Sequence, residues 1–202
     1  TEEQVGVDVG LHSFAAFSTG EAPIENPRFF RREEAALAKA QRQLAKAAKG
    51  TPQRRKRRQV VARVHERTRW KRRDFAHQQS RKIVNRFQVI AVEDLSVNRM
   101  VHNHCLAKSI SDAAWAAFAA MVSFKAAWAG RSFIAVNPAY TSQDCSRCGH
   151  RQIMPLSDRL YRCSCCGLER DRDHNASLNI LRLGLLAMGL HGAGLALGSP
   201  LL

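Results

Sequence analysis

The chain has 202 residues, 45% of them apolar and 24% charged, which is enough for one packed domain or one domain plus a small module. Its 32 Lys+Arg against 17 Asp+Glu give a formal net charge of +15. Such an excess opposes compaction by self-repulsion and points to a polyanionic partner, nucleic acid or an acidic membrane surface. No apolar run approaches the roughly 18 residues of a membrane span, and the opening TEEQVGVDVG lacks both an initiator Met and the basic-then-apolar order of a secretory signal, so it reads as an excised fragment.

In chain order, residues 4–10 alternate Val5, Val7 and Val9 on one face with Gly6, Asp8 and Gly10 on the other, predicting a short strand. Residues 14–18 read as a second strand and 24–30 as a weaker third, with Gly20 at the turn between them. A basic segment follows. Residues 28–82 hold 20 Lys+Arg and four acids, a net of +16, while the remainder of the chain nets −1. Residues 35–49 favour helix up to Gly50, and Thr51 and Pro52 are the N-cap and first residue of a second helix reaching about Arg86. Val61, Val64, Thr68, Phe75 and Ile83 give it a thin apolar stripe. The run Arg54, Arg55, Lys56, Arg57, Arg58 and the group Arg69, Lys71, Arg72, Arg73 lie largely off that stripe, at a density that favours phosphate contacts over a solvated face.

Residues 89–92 form a buried strand ending in Glu93-Asp94. Residues 113–129 form an Ala-rich helix carrying Trp115, Phe118, Val122 and Trp128, and 132–136 a strand stopped by Pro138. A last helix over 175–190 spaces Leu178, Leu181, Leu185 and Met188, and the Gly-rich tail after Gly192 frays.

Cys145-Ser-Arg-Cys148-Gly and Cys163-Ser-Cys165-Cys166-Gly are two CxxC knuckles 14 residues apart. This spacing favours a structural zinc site in a reducing cytosol over disulfides or inert core cysteines, with Gly149 and Gly167 supplying the tight turns. The ligands are Cys145, Cys148, Cys163 and Cys166, and Cys165 points away. His102, His104 and Cys105 are read as polar loop residues rather than a second metal site.

Three acids occupy pointed positions: Asp8 mid-strand, Glu93 at a strand end and Asp173 at the start of the last helix. Singly, they are a satisfied core polar group, a solvated end and an N-cap. Together, on one side of a mixed sheet, they repel one another unless divalent cations bridge them. Hard oxygen ligands suit two Mg²⁺ or Mn²⁺ ions, and the chemistry is metal-dependent phosphodiester hydrolysis.

The segments VGVDVGLHSFAAFSTGE (5–21), VIAVEDLSVNRMVHNHCLAKSISDAAW (89–115), NPAYTSQDCSRCGHR (137–151) and YRCSCCGLERDRDHNASLNIL (161–181) closely resemble the OrfB/TnpB family of insertion-sequence proteins, relatives of the type V CRISPR effectors. The resemblance implies an α/β, RNase H-like (RuvC) mixed sheet with flanking helices, a basic helical-hairpin insertion and a zinc-ribbon insertion. Its implied divisions are nuclease part I over 1–28, hairpin over 29–86, part II over 87–139, ribbon over 140–168, part III over 169–190 and a flexible tail over 191–202.

It further implies a cytoplasmic, RNA-guided, Mg²⁺-dependent DNA endonuclease with guide RNA and target DNA as partners. Asp8, Glu93 and Asp173 match its catalytic acids, with Asp173 chosen over Asp171, and the four cysteines match its zinc ligands. His174 and Asn175 are placed to orient a ligand or water. The nuclease motif begins within the first ten residues, so the chain is read as the carboxy-terminal nuclease portion. Two alternatives are an idle nucleic-acid-binding fragment and a structural zinc-ribbon protein of the ribosomal type.

Overall fold

The computed structural model describes residues 3–103, 105–155 and 157–189. His104, Leu190 and the tail assigned to 191–202 lie outside the described residues. Five strands, β1 (Gln4–Val9), β2 (Ser13–Phe17), β3 (Ile24–Glu25), β4 (Val89–Glu93) and β5 (Ser132–Val136), form one mixed sheet in the order β3-β2-β1-β4-β5. β1, β2 and β3 pair antiparallel, whereas β1, β4 and β5 run parallel. Helices α1 (Phe29–Ala45) and α2 (Pro52–Arg86) follow β3; α3 (Val97–Met100), α4 (Ala107–Ala113) and α5 (Trp115–Trp128) follow β4. A two-stranded unit of β6 (Leu160–Arg162) and β7 (Glu169–Asp171) leads into the last helix, α6 (Arg172–Ala187). No helix among the described residues is long and apolar enough to cross a membrane.

The two-residue alternation of the strands sorts side chains between two layers of helix. Val5, Val7, Ile90 and Val92 join Phe87, Phe118 and Val122 in the main core under α2 and α5, where Phe14 meets Phe75 and Phe118 edge-to-face at 4.9 and 5.0 Å. Phe14 and Phe118, both fully buried, contribute about 1.5 to 3 kcal/mol each. The opposite face packs Ala91, Val136 and Ile180 beneath α6. A Cβ at Gly6 would lie 2.0 Å from the carbonyl oxygen of Ser177, and one at Gly184 would lie 2.6 Å from Ala91 Cβ. The helix therefore rests on the sheet at a distance that only glycine permits at these positions.

Several local expectations are revised. The third strand stops at Glu25, and the first helix begins at Phe29 rather than Ala35. Arg28 turns the chain with φ 47, and the Phe30 N–H is capped by the Asp112 carboxylate at 2.9 and 3.0 Å. That cap comes from a distant part of the chain, so no local signal announces the helix start. Asp112 also accepts from Arg72 Nε at 2.8 Å, joining α4, α1 and α2 in one largely buried clasp. The other end of α1 is closed by Arg54, which donates to the carbonyls of Leu44 and Ala47 at 3.1 and 2.8 Å. Thr51 caps α2 through a bond from the Arg54 N–H at 3.2 Å, and Pro52 occupies its first turn, as the sequence predicts.

The helix expected over 113–129 is present as α5 (Trp115–Trp128), set off from the preceding α4 by Ala114 with φ 54. Trp115, Phe118 and Val122 are buried, but Trp128 is 83% exposed. On α6 the expected leucine row is only half-buried. The buried row is Asn175, Ala176, Ser177, Asn179, Ile180 and Gly184, residues small or polar enough for the close approach to β1.

Gly6→Ala is expected to lift α6 from β1 and cost about 3 kcal/mol or more, beyond ordinary overpacking because the obstacle is backbone. Urea denaturation measures it, and a loss below about 1 kcal/mol would contradict the close-packing account.

Candidate active site and cysteine cluster

Asp8 and Glu93 reach the same side of the sheet because β1 and β4 are parallel and in register through Val7 and Val92, the residues just before them. Their neighbours Gly6 and Ala91 face α6, so these two acids face it as well. α6 supplies the third acid. Asp171 is spent as its N-cap, accepting from the His174 N–H at 3.0 Å. Asp173, in the first turn, accepts from Ser13 Oγ at 3.2 Å and lies 3.8 Å from Arg159. The two Asp residues that flank Arg172 thus divide into a helix cap and a member of the acidic group.

Burial holds the Asp8 carboxyl well above its usual range; the charges of Glu93 and Asp173 push the same way, Arg172 opposes, and Asp171 adds a smaller push. Burial also raises Glu93, against a hydrogen bond from Thr141 Oγ1 to Glu93 Oε1. Crowding of this kind marks a site that costs stability and suits a cation. Asp8 with Glu93 and Asp173 acting on it makes a set of hard oxygen donors, the ligand type that divalent ions of the magnesium class take.

The four expected thiols also meet. Sγ atoms of Cys145, Cys148, Cys163 and Cys166 lie within 4.8 Å of one another, with Cys145–Cys166 and Cys148–Cys163 at 3.6 Å. A tetrahedral site with metal–sulfur bonds of about 2.3 Å has edges of about 3.8 Å, so the cluster can hold one such ion. The knuckles repeat one bond pattern: the Cys145 and Cys163 N–H groups donate to His150 and Leu168 carbonyls, and their own carbonyls accept from Gly149 and Gly167, all at 2.9 to 3.0 Å. Gly149 and Gly167 have φ 74 and 68. Burial raises the Cys163 thiol, but N–H groups of Cys166 and Cys165 and the neighbouring thiols outweigh it and bring it to about 7. Cys165 and Cys105 are exposed and outside the cluster.

Polar side chains of α6 fasten this unit to the acidic site. The Asn175 amide donates to Asp144 O at 2.8 Å and accepts from the Ser146 N–H at 3.0 Å. Asn179 donates to Thr141 O and Asp144 O at 2.9 and 2.7 Å. Arg172 donates to Pro155 O at 2.6 Å. Asn175 is therefore a clasp rather than the ligand-orienting group expected, and His174 Nε2 lies 3.4 Å from Ser18 O. Thr141 escaped the sequence reading, its only signal being its place four residues before Cys145.

Of the nine basic residues singled out, four are engaged within the protein. Arg54 closes α1, Arg57 donates to Gln43 at 2.6 Å, Lys71 pairs with Glu33 at 2.7 Å and Arg72 with Asp112. Arg55, Lys56, Arg58, Arg69 and Arg73 are exposed, and Arg73 lies 5.8 Å from the ring of half-exposed Trp70.

A family model described as OrfB_IS605, probable transposase, matches residues 1–104, and a second, the Cas12f1-like TNB domain, matches 115–180. A Streptomyces pristinaespiralis protein named "Putative RNA-guided DNA endonuclease" is 43% identical over 93% of this chain and 46% of its own. An Escherichia coli K12 protein of the same description, InsQ, is 32% identical over 92% of this chain and 50% of its own. The chain thus spans about half the length of these curated relatives. Among solved structures, a Cas12f1–sgRNA–target DNA complex aligns with TM-score 0.64 at 19% identity, over 88% of this chain and 49% of the other, a likeness of fold.

The raised Asp8 pKa sets a pH dependence. Its neutral form favours the folded state, so that contribution is present below about pH 4, where unfolded Asp titrates, and is lost as pH rises through the folded value. In divalent-free buffer at pH 7, Asp8→Asn is expected to stabilise the protein, with the gain vanishing toward pH 4. Urea melts at both pH values test this, and a destabilised variant at pH 7 would overturn it.

Proposed function

This chain belongs to the OrfB/TnpB family, and we propose that it carries the RuvC-like, metal-dependent endonuclease site of an RNA-guided DNA nuclease, with guide RNA and target DNA as partners. The observation that carries the proposal is the convergence of Asp8, Glu93 and Asp173, three acids distant in sequence, on one side of a mixed sheet. In this reading they are the catalytic residues. The helical pair at 29–86 and the cysteine unit at 140–168 are insertions in an RNase H-like core formed by 1–28, 87–139 and 169–190.

Two Mg²⁺ or Mn²⁺ ions, when bound, supply an activated water and stabilise the leaving oxygen in phosphodiester hydrolysis. Asp8, which feels the charges of both Glu93 and Asp173, is the carboxylate whose ionised form gains most from a cation that offsets them. Glu93 is steadied by Thr141, whose hydroxyl occupies Oε1 and leaves Oε2 open. Asp173 is steadied by Ser13. Cys145, Cys148, Cys163 and Cys166 hold one structural zinc with no open coordination position. The ribbon's role is then mechanical, ordering Thr141 and Asp144 against α6. The exposed cations of α2 supply phosphate contacts along the hairpin.

Carried in a protein of its relatives' full length, with the RNA that co-purifies with it, this site is expected to nick single-stranded DNA in Mg²⁺. Asp8→Ala, Glu93→Ala and Asp173→Ala should each lower the cleavage rate by about a thousandfold or more, since the acids act as a unit. Wild-type rates in any of the three would remove that residue from the site. Elemental analysis of natively purified protein should give one zinc per chain, and none would refute the ribbon assignment.

A further inference from the structure

Two surface cavities join on the β2–β3 side of the sheet. One, of about 290 Å³, is bordered by Asp171, Asp173, His174 and Arg159. The other, of about 680 Å³, is bordered by Arg28, Arg31 and Arg32. They share His12, Ser13 and Pro23 as wall. Through this shared wall a groove runs from Asp173, whose carboxylate accepts from Ser13 Oγ at 3.2 Å, to the first turn of α1.

The two ends of the groove differ in charge. Arg28, Arg31 and Arg32 stand within five residues, all exposed, facing one acid, Glu25, in their own cavity. Arg31 pairs with Glu34 at 3.3 Å on the exposed side, while Arg28 and Arg32 enter no ion pair among the described residues. This contrasts with Arg54, Arg57, Lys71 and Arg72, whose charges are spent inside the protein. Arg28 also takes the left-handed conformation, φ 47, which non-glycine residues adopt at a cost and which clusters at functional sites. At the other end the acids Asp171, Asp173 and Glu21 border the cavity, where Arg159 lies 3.8 Å from Asp173 and Arg86 pairs with Glu21 at 2.6 Å.

We propose that this groove holds the DNA single strand that is cut, with Arg28, Arg31 and Arg32 contacting phosphates on one side of the scissile bond. This rests on the nuclease reading above and adds the route by which its substrate enters. The arginines lie at the base of the helical hairpin. The Arg54 to Arg58 run lies at its far end, one 17-residue helix away, or about 25 Å at 1.5 Å per residue. A stacked six-nucleotide strand, at about 3.4 Å per nucleotide, spans about 20 Å and falls short of that tip.

The test is fluorescence anisotropy with a labelled six-nucleotide DNA strand in divalent-free buffer over a range of salt. Changing Arg28, Arg31 and Arg32 together to Gln is expected to weaken binding at least tenfold at low salt. It should also flatten the slope of log K against log salt by about 2, three contacts at about 0.7 each. The same three positions changed to Lys should keep the slope, which shows that charge and not the fold was lost. Arg55→Gln, Lys56→Gln and Arg58→Gln together should leave this short strand within twofold of the parent.

Unchanged binding in the groove variant, a Lys variant as weak as the Gln one, or an equal loss from the tip variant would each overturn the proposal. So would an RNA hexamer that binds tenfold tighter than DNA through the same arginines, since the groove would then hold guide rather than substrate. Because no cleavage is needed, a protein that fails to cut DNA still gives a clear result here. One that cuts normally with unchanged binding in the groove variant refutes the groove alone.

Discussion

The close seat of α6 on β1 is the contact on which the site depends. Gly6 and Gly184 remove the two side chains that would hold helix and sheet apart, and Ser177 contributes backbone where a larger neighbour would need Cβ clearance. At this separation the first turn of α6 lies beside Asp8, so Asp173 adds its charge to that of Glu93. One turn further on, Asn175 and Asn179 reach the backbone at Asp144, and Asn179 holds Thr141, which in turn holds Glu93. A single packing distance therefore sets the third acid, the hydrogen bond to the second, and the anchorage of the cysteine unit.

That anchorage is polar because the cysteine unit has little apolar surface to offer. Its buried cluster is Cys145, Tyr161, Cys163 and Leu168, far smaller than a self-sufficient core. Tyr161 spends its hydroxyl on Gln143 O at 3.1 Å, which ties the first knuckle to β6. The Asn175, Asn179 and Arg172 bonds supply part of what the small core lacks, and an ion held by the four thiols would add to it. The acidic group shows the opposite balance: Asp8 is kept where burial and like charges both disfavour its ionised form. The stability given up there is what makes a cation's arrival favourable, the usual exchange between stability and activity at such sites.

The parts legible in the sequence were those whose cause is local. Alternation in residues 4–10 marked β1 and placed Asp8 with Gly6 on one face, and Thr51-Pro52 marked the start of α2. The two CxxC pairs selected four thiols and left Cys165 out, because ligand spacing is itself a local constraint. What the sequence hid depends on partners far along the chain. The start of α1 needs Asp112, 82 residues away, and the orientation of Glu93 needs Thr141, 48 residues on. The leucine row of α6 misled because hydrophobicity predicts which face is buried only when size does not matter. Over Gly6 it does, and small or polar residues were buried instead.

The basic segment shows why a charge count is a weaker guide than a charge map. Its net of +16 suggests a uniformly cationic arm, but Arg54, Arg57, Lys71 and Arg72 are structural, closing α1 and fastening the hairpin to itself and to α4. The cations left for a polyanion fall into separated sets, at the hairpin tip, along α2 near Trp70, and at the base beside the groove. Distant surface charges sum into a field that draws a polyanion in from any direction and fades with salt. Only the set at the base shares a groove with one of the three acids, Asp173, with Ser13 on the wall between them, so only there does a diffuse field become a local contact beside the acidic group.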